Sequence, residues 1–357
     1  MTEATATARA ERLLDQLAER ELDCLLVTNL VNVRYLTGFT GSNGACIVGP
    51  ESRQFVTDFR YVEQAQDQVH GFELVKGERD LLADLAGRLT GRAGFDDAHV
   101  SVRTHRKLTE ALADGVELVD AAGVVERLRQ LKDEDELRAI AAAAELADEV
   151  YELLRERGVG GRTESDVARE LERELRERGA DPAFPTIVAS GGHGALPHAV
   201  PRDVEVEAGT LMIVDMGARL DGYCSDCTRT FAIGDLDERA AEVYELVLTA
   251  QEAALEAVRA GAGVVEVDAV ARDLIEAAGQ GERFGHGLGH GVGLEVHEGP
   301  RLAKSAEGEL EAGNVVTVEP GVYLPGELGV RIEDLVVVTE DGADVLTGFP
   351  KELIRLD

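Results

Sequence analysis

The chain has 357 residues, room for about two domains and an ample core. Its 69 acidic residues against 36 basic ones give a formal net charge of −33, and a surface this acidic repels nucleic-acid phosphates and anionic lipid. No apolar run approaches the roughly 18 residues needed to span a bilayer, and Met1-Thr2-Glu3-Ala4-Thr5 does not open a secretory signal, so a cytoplasmic protein is expected.

Residues 8–70 read as α/β. The periodicity predicts an amphipathic helix near 8–20, then an apolar strand at Cys24-Leu25-Leu26-Val27. The segment Asn32 to Ser42 follows, then short strands at 45–48 and 54–57. Weaker alternation continues to about residue 120. Around 124–135 the pattern becomes a long helix, and Asp133-Glu134-Asp135-Glu136 places acids on its first turn, where the helix dipole favours them. The domain boundary is placed at 126/127.

The second segment repeats itself. Val167-Ala168-Arg169-Glu170-Leu171 recurs 103 residues later as Val270-Ala271-Arg272-Asp273-Leu274. The strand that closes on Ile213-Val214-Asp215-Met216-Gly217 recurs 104 residues later, closing on Thr317-Val318-Glu319-Pro320-Gly321. Thr163-Glu164-Ser165-Asp166 gives one helix a capping-box start. Two matched copies argue for one pseudo-symmetric domain rather than a solenoid of three or more short repeats.

Each copy ends an apolar strand on a carboxylate, Asp215 or Glu319, which is costly to bury unless paired or bound to a cation. In the first copy a hairpin brings Asp226 to the same face. If Leu220-Asp221 form the loop, Asp215 lies opposite Asp226; if Asp221-Gly222 turn instead, the two are diagonal. Arg229 is the structural alternative to a cation. In the second copy Val315, Thr317 and Glu319 share one face, residues 320–329 read as a turn, and Arg331 and Glu333 share a face of the return strand.

Between these strands lies Phe284-Gly285-His286-Gly287-Leu288-Gly289-His290, followed by Glu295-Val296-His297-Glu298. It holds three of only eight histidines. Glycines 285, 287, 289, 291 and 293 are read as permitting close backbone approach to metals. Four carboxylates and an imidazole suit two divalent ions sharing bridging oxygens, an arrangement that polarises a carbonyl and lowers the pKa of a bridging water.

These motifs, with Ser225-Asp226-Cys227-Thr228-Arg229-Thr230, Val318-Glu319-Pro320-Gly321-Val322-Tyr323 and Val330-Arg331-Ile332-Glu333-Asp334, resemble the pita-bread metallopeptidases. That family includes methionine aminopeptidase, aminopeptidase P and prolidase. The likeness covers about residues 130–357, and Asn32 to Ser42 resembles the creatinase-type N-terminal domain. The resemblance implies an α+β fold: a pseudo-two-fold pita-bread domain with a curved antiparallel sheet and flanking helices, preceded by a smaller α/β creatinase-type domain. It implies a metal set of Asp215, Asp226, His290, Glu319 and Glu333, with Asp226 and Glu333 bridging two divalent ions (Mn, Co, Zn or Fe, with manganese the working choice). It further implies that Glu319 takes the proton of the attacking water, that His297 and His198 stabilise the tetrahedral intermediate, and that His286, Tyr323 and Arg331 line the substrate pocket.

The activity implied is hydrolysis of Xaa-Pro dipeptides by a homodimer. Alternatives are release of the first residue from longer Xaa-Pro peptides, or a lyase or binding relative of the same fold. His193 is expected to be uninvolved, and His70, His99 and His105 to lie on the surface of the first domain. Cys24 and Cys46 sit in apolar runs; Cys224 and Cys227 lack the second pair that a zinc site needs. The charge is spread along the chain, and Lys76, Lys107, Lys132, Lys304 and Lys351 are the only lysines, so arginine supplies 31 of the 36 cations. Self-repulsion at this charge is relieved by salt, which points to a halophilic cytoplasm.

Overall fold

The computed structural model describes residues 2–357. The chain divides into a first unit ending at Arg129 and a second spanning Gln130–Asp357. In the first, helix α1 (Glu3–Glu19) starts earlier than the apolar pattern indicates because Thr2 caps it, accepting the Thr5 N–H at 3.2 Å. Strands β1 (Cys24–Val27), β2 (Gly44–Val48), β3 (Arg53–Thr57), β4 (Glu73–Lys76), β5 (Arg92–Phe95) and β6 (Glu117–Asp120) form one sheet in the order β4-β3-β2-β1-β5-β6. β1 pairs antiparallel with β2 and parallel with β5. The other helices of this unit are α2 (Leu30–Thr37), α3 (Val62–Gln68), α4 (Leu82–Ala86) and α5 (Val102–Ala111).

The helix expected over 124–135 is two helices. α6 (Val124–Gln130) ends, and α7 (Glu134–Arg157) begins afresh because Asp133 and Glu136 form a reciprocal capping box, at 3.0 and 3.1 Å. The second unit then runs α8 (Glu164–Glu177), β7 (Asp181–Pro182), β8 (Ile187–Ser190), β9 (Thr210–Met216), β10 (Ala218–Leu220), β11 (Tyr223–Cys224), β12 (Cys227–Ile233) and α9 (Glu238–Ala257). It continues with α10 (Val264–Ala277), β13 (Gly289–Gly291), β14 (Glu298–Leu302), β15 (Val315–Val318), β16 (Gly321–Leu324), β17 (Leu328–Arg331), β18 (Asp334–Val338), β19 (Ala343–Val345) and β20 (Arg355–Leu356).

The duplication is visible in the sheets: β8-β9-β12 in one half, β13-β15-β18 in the other. Each half has its own core. α7 and α8 cover β9 and β12 through Val150, Tyr151, Leu171 and Phe231. α9 and α10 cover β15–β18 through Val247, Ala271, Val316 and Val336. The helix motifs that recur in sequence are not structural equivalents. α8 and α10 begin at Glu164 and Val264 and end at Glu177 and Ala277, 100 residues apart at both ends rather than 103. Burial decides the register: Leu171 is buried, whereas its sequence counterpart Leu274 is 38% exposed and Ala271 takes the inward position. Among the described residues no helix is long and apolar enough to cross a membrane.

Candidate active site

The first pair of carboxylates comes from the β9–β12 hairpin. Asp221 and Gly222 take φ of 47° and 83°, the double left-handed turn that matches strand twist. This turn sets Leu220 against Tyr223 and Asp215 against Thr228. Asp226 is therefore diagonal to Asp215, the second of the two registers open to the sequence. Ser225 and Asp226 interrupt the strand between β11 and β12. The Ser225 hydroxyl accepts the Ala218 N–H at 3.0 Å and lies 3.1 Å from the Ala143 carbonyl, so the break leaves these backbone groups paired. Cys224 and Cys227 lie on different strands as buried free thiols.

The second pair sits in a longer hairpin than the expected turn over 320–329. β15 pairs with β18 and β16 with β17 in one continuous register, Val318 against Asp334 and Gly321 against Arg331. Glu319 and Glu333 occupy the gap, facing each other. His290 arrives on β13, which lies between β14 and β15. Its N–H donates to Thr317 Oγ1 at 3.1 Å, and Nδ1 lies 3.1 Å from the Gly291 carbonyl. Two of the glycines here, Gly289 and Gly291, serve strand packing. A Cβ on Gly289 would overlap the Thr317 carbonyl, one on Gly291 the Gly299 carbonyl, and one on Gly285 would meet nothing within 4 Å.

The ligand atoms of Asp226, His290 and Glu333 all lie within 4.8 Å of one another. His290 Nε2 is 3.3 Å from Glu319 Oε1 and 3.6 Å from Asp226 Oδ2. Nδ1 faces a carbonyl and Nε2 faces carboxylate oxygens, so a cation or a proton must lie between Nε2 and them; burial opposes protonation of His290, but Glu319 outweighs it and raises His290. Asp215 Oδ2 accepts from Arg331 Nη2 at 2.7 Å, while its Oδ1 is buried without a hydrogen-bond partner among the described residues. Burial first, then the charges of Glu333, Asp215 and Glu319, push Asp226 well above the usual carboxylate range. Burial, then Glu319 and Asp215, does the same to Glu333, and burial raises Asp215 despite Arg331. Burial also opposes ionisation of Glu319, but His290, then His286 and Arg331, outweigh it and hold Glu319 at about 2. An orphaned oxygen, an aimed imidazole and mutually repelling buried carboxylates fit divalent cations.

Around this cluster a polar chain runs Arg331 to Tyr323 to His286. Arg331 Nη1 donates to the Tyr323 hydroxyl at 3.0 Å, and that hydroxyl is 2.8 Å from His286 Nε2. Burial lowers His286. His297 is exposed, its ring 4.3 Å from that of His290, and burial of its inner face and the His290 charge lower it. His198 is exposed on the loop after β8, where the Pro197 carbonyl accepts from Arg331 Nη1 at 3.2 Å. Arg229 is not the partner of Asp215 or Asp226. It pairs with Asp334 at 3.0 Å and donates to the carbonyls of Phe349 and Glu333.

The sequence pattern did not single out two threonines that the fold brings to the site. Thr228 Oγ1 donates to Glu333 Oε2 at 2.8 Å and accepts Arg331 Nε at 3.0 Å, and Thr317 Oγ1 lies 3.2 Å from Glu319 Oε1. The available signal was a hydroxyl on the carboxylate-bearing face of an otherwise apolar strand. His193, expected to be uninvolved, pairs with the buried Glu164.

Residues 138–340 match metallopeptidase family M24, and residues 9–131 match the creatinase/prolidase N-terminal domain. The chain is 35% identical over 360 residues to the Xaa-Pro dipeptidase of Pyrococcus furiosus, covering 97% of this chain and 99% of that one. It superposes on the Xaa-Pro dipeptidase from Bacillus anthracis with a TM-score of 0.95 at 40% identity, covering 98% and 100% of the two chains. On the X-Pro aminopeptidase from Thermotoga maritima the TM-score is 0.89 at 35% identity, again covering 98% and 100%.

Proposed function

The chain belongs to metallopeptidase family M24, and on that premise we propose that it hydrolyses the Xaa-Pro bond of dipeptides using two divalent ions. The observation that carries this reading is the buried convergence of Asp226, His290 and Glu333, with Glu319 3.3 Å from His290. Asp215, Asp226, His290, Glu319 and Glu333 would hold the ions, with Asp226 and Glu333 as the shared ligands, Asp215 serving one ion and His290 and Glu319 the other. Bound there, the ions supply a polarised scissile carbonyl and a water of near-neutral pKa.

The chain's own residues do the rest. Glu319 takes the proton of the attacking water. His297 and His198 donate hydrogen bonds to the oxygen on which charge develops at the tetrahedral carbon. His286, Tyr323 and Arg331 hold the substrate, their mutual hydrogen bonds fixing their directions. A bond to proline lacks the N–H of an ordinary peptide, so a dedicated site suits it. We assign residues 1–126 to the N-terminal domain and 127–357 to the catalytic domain. We take manganese as the working metal because four of five donors are carboxylates. A cytoplasmic homodimer that binds neither nucleic acid nor membrane completes the reading; the net charge of −33 supports the last point.

The dipeptidase likenesses support dipeptides, while the Thermotoga maritima X-Pro aminopeptidase favours a second reading, longer Xaa-Pro peptides. Turnover of Xaa-Pro and Xaa-Pro-Yaa by the manganese-loaded protein decides between them. Dipeptide turnover at least tenfold faster is expected; the reverse order selects the aminopeptidase. Failure to cleave either, in a protein holding two metals per chain, overturns both.

A further inference from the structure

Two of the histidine-bearing segments of the second unit, the one with His193 and His198 and the one with His286 and His290, hang from a buried acid on a helix. In the first half, Glu164 at the start of α8 is fully buried. Its Oε1 accepts the Ser190 N–H and hydroxyl, each at 2.9 Å, and Arg202 Nη2 at 3.1 Å. Its Oε2 accepts Arg202 N and Nε, each at 3.1 Å, and lies 2.9 Å from His193 Nδ1. One carboxylate thus ties both ends of the segment that carries Pro197 and His198. In the second half, Asp268 on α10 accepts Arg272 Nε at 2.7 Å, Arg272 Nη2 at 2.8 Å and the Leu288 N–H at 3.0 Å. Arg272 in turn donates to the carbonyls of Phe284 at 2.9 Å and His286 at 2.8 Å. The two acids occupy different turns of their helices: Glu164 opens α8 and binds the loop beyond β8, whereas Asp268 lies further into α10 and binds the loop that directly follows that helix.

We propose that Glu164 and the Asp268–Arg272 pair are positioning residues with separate duties, Glu164 setting the loop of His198 and Asp268–Arg272 setting the approach of His286 and His290. This rests on the roles assigned above to His198 and His290. The reason for two clasps is directional. A glycine-rich backbone places a side chain only where external bonds hold it, and catalytic geometry tolerates errors of about 0.5 Å. Charge-assisted bonds from a buried carboxylate supply that restraint.

The test compares Glu164→Gln and Asp268→Asn in the full chain, with Ser190→Ala and Arg272→Lys as milder changes should either fail to fold. Hydrogen–deuterium exchange, the visible spectrum of the cobalt-loaded protein, manganese affinity, and kcat and KM on Ala-Pro are read together. Glu164→Gln is expected to raise exchange in residues 191–202 alone and to lower kcat/KM at least tenfold, with the cobalt spectrum and manganese affinity unchanged. Asp268→Asn is expected to raise exchange in 284–290, alter the cobalt spectrum and weaken manganese binding at least tenfold, with kcat recovering at saturating metal. Parallel changes in both loops for both variants, or no change in exchange, overturn the proposal. Exchange and the cobalt spectrum are read without turnover, so a protein that cleaves no dipeptide refutes the function and leaves the clasps tested.

Discussion

The chemistry of the site depends on side chains that share few atoms. His290 and His297 lie ring to ring at 4.3 Å, but only His290 Nε2 points among carboxylates. Replacing His297 with Ala is therefore expected to lower kcat by about 10²–10³-fold with metal content nearly unchanged, whereas His290→Ala lowers both; elemental analysis beside turnover checks this. Thr228 joins Glu333 to Arg331 through one hydroxyl. Thr228→Val keeps the shape and leaves both partners short of a hydrogen bond, at a cost of about 1–3 kcal/mol. Thermal unfolding should show that loss together with weaker metal binding; a variant matching the wild type in both would remove Thr228 from the site.

Elements carry these residues by backbone fit. β13 lies close to β15 because Gly289 has no side chain to meet the Thr317 carbonyl. Gly289→Ala should push the strands apart, displace His290 and lower metal affinity as well as the melting temperature. On α8, Glu174 pairs with Arg157 at 2.7 Å, Arg178 at 2.8 Å and Arg173 at 3.2 Å. Hydrogen bonds from Arg157, then Arg178, lower it from 4.5 to about 2. A depressed carboxylate stabilises fully above its unfolded pKa and ceases to as pH falls through the folded one. Glu174→Gln should thus melt lower than the wild type above pH 4.5, and the gap should close between 4.5 and about 2. A gap independent of pH would assign the loss to packing.

For the whole molecule, 69 acids against 36 bases mean self-repulsion that salt screens. The melting temperature is expected to rise from roughly 0.1 M to several-molar KCl; a flat response would reject a halophilic origin for the charge. Ions bound only by the folded state stabilise it by mass action, about 2.7 kcal/mol at a hundredfold excess over Kd. Chelation should lower the melting temperature, and added manganese should restore it.

Local patterns sufficed for several apolar strands, for α1 and α8 and for the strand half of the internal duplication, because burial on one face imposes a period that survives in the residues themselves. The carboxylates Asp215, Asp226, Glu319 and Glu333 stood out for the same reason: charges closing apolar strands conflict with their surroundings unless something offsets them. Tertiary structure alone decided what local pattern leaves degenerate. The Asp221-Gly222 turn chose the diagonal register of Asp215 and Asp226, and burial set α8 against α10 at a spacing of 100 rather than 103. It also decided partners far apart in the chain. Arg331 rather than Arg229 meets Asp215, 116 positions away, because strand pairing brings those atoms within 2.7 Å while Arg229 is drawn to Asp334. Periodicity states which face a residue takes; only the folded sheet states what stands opposite.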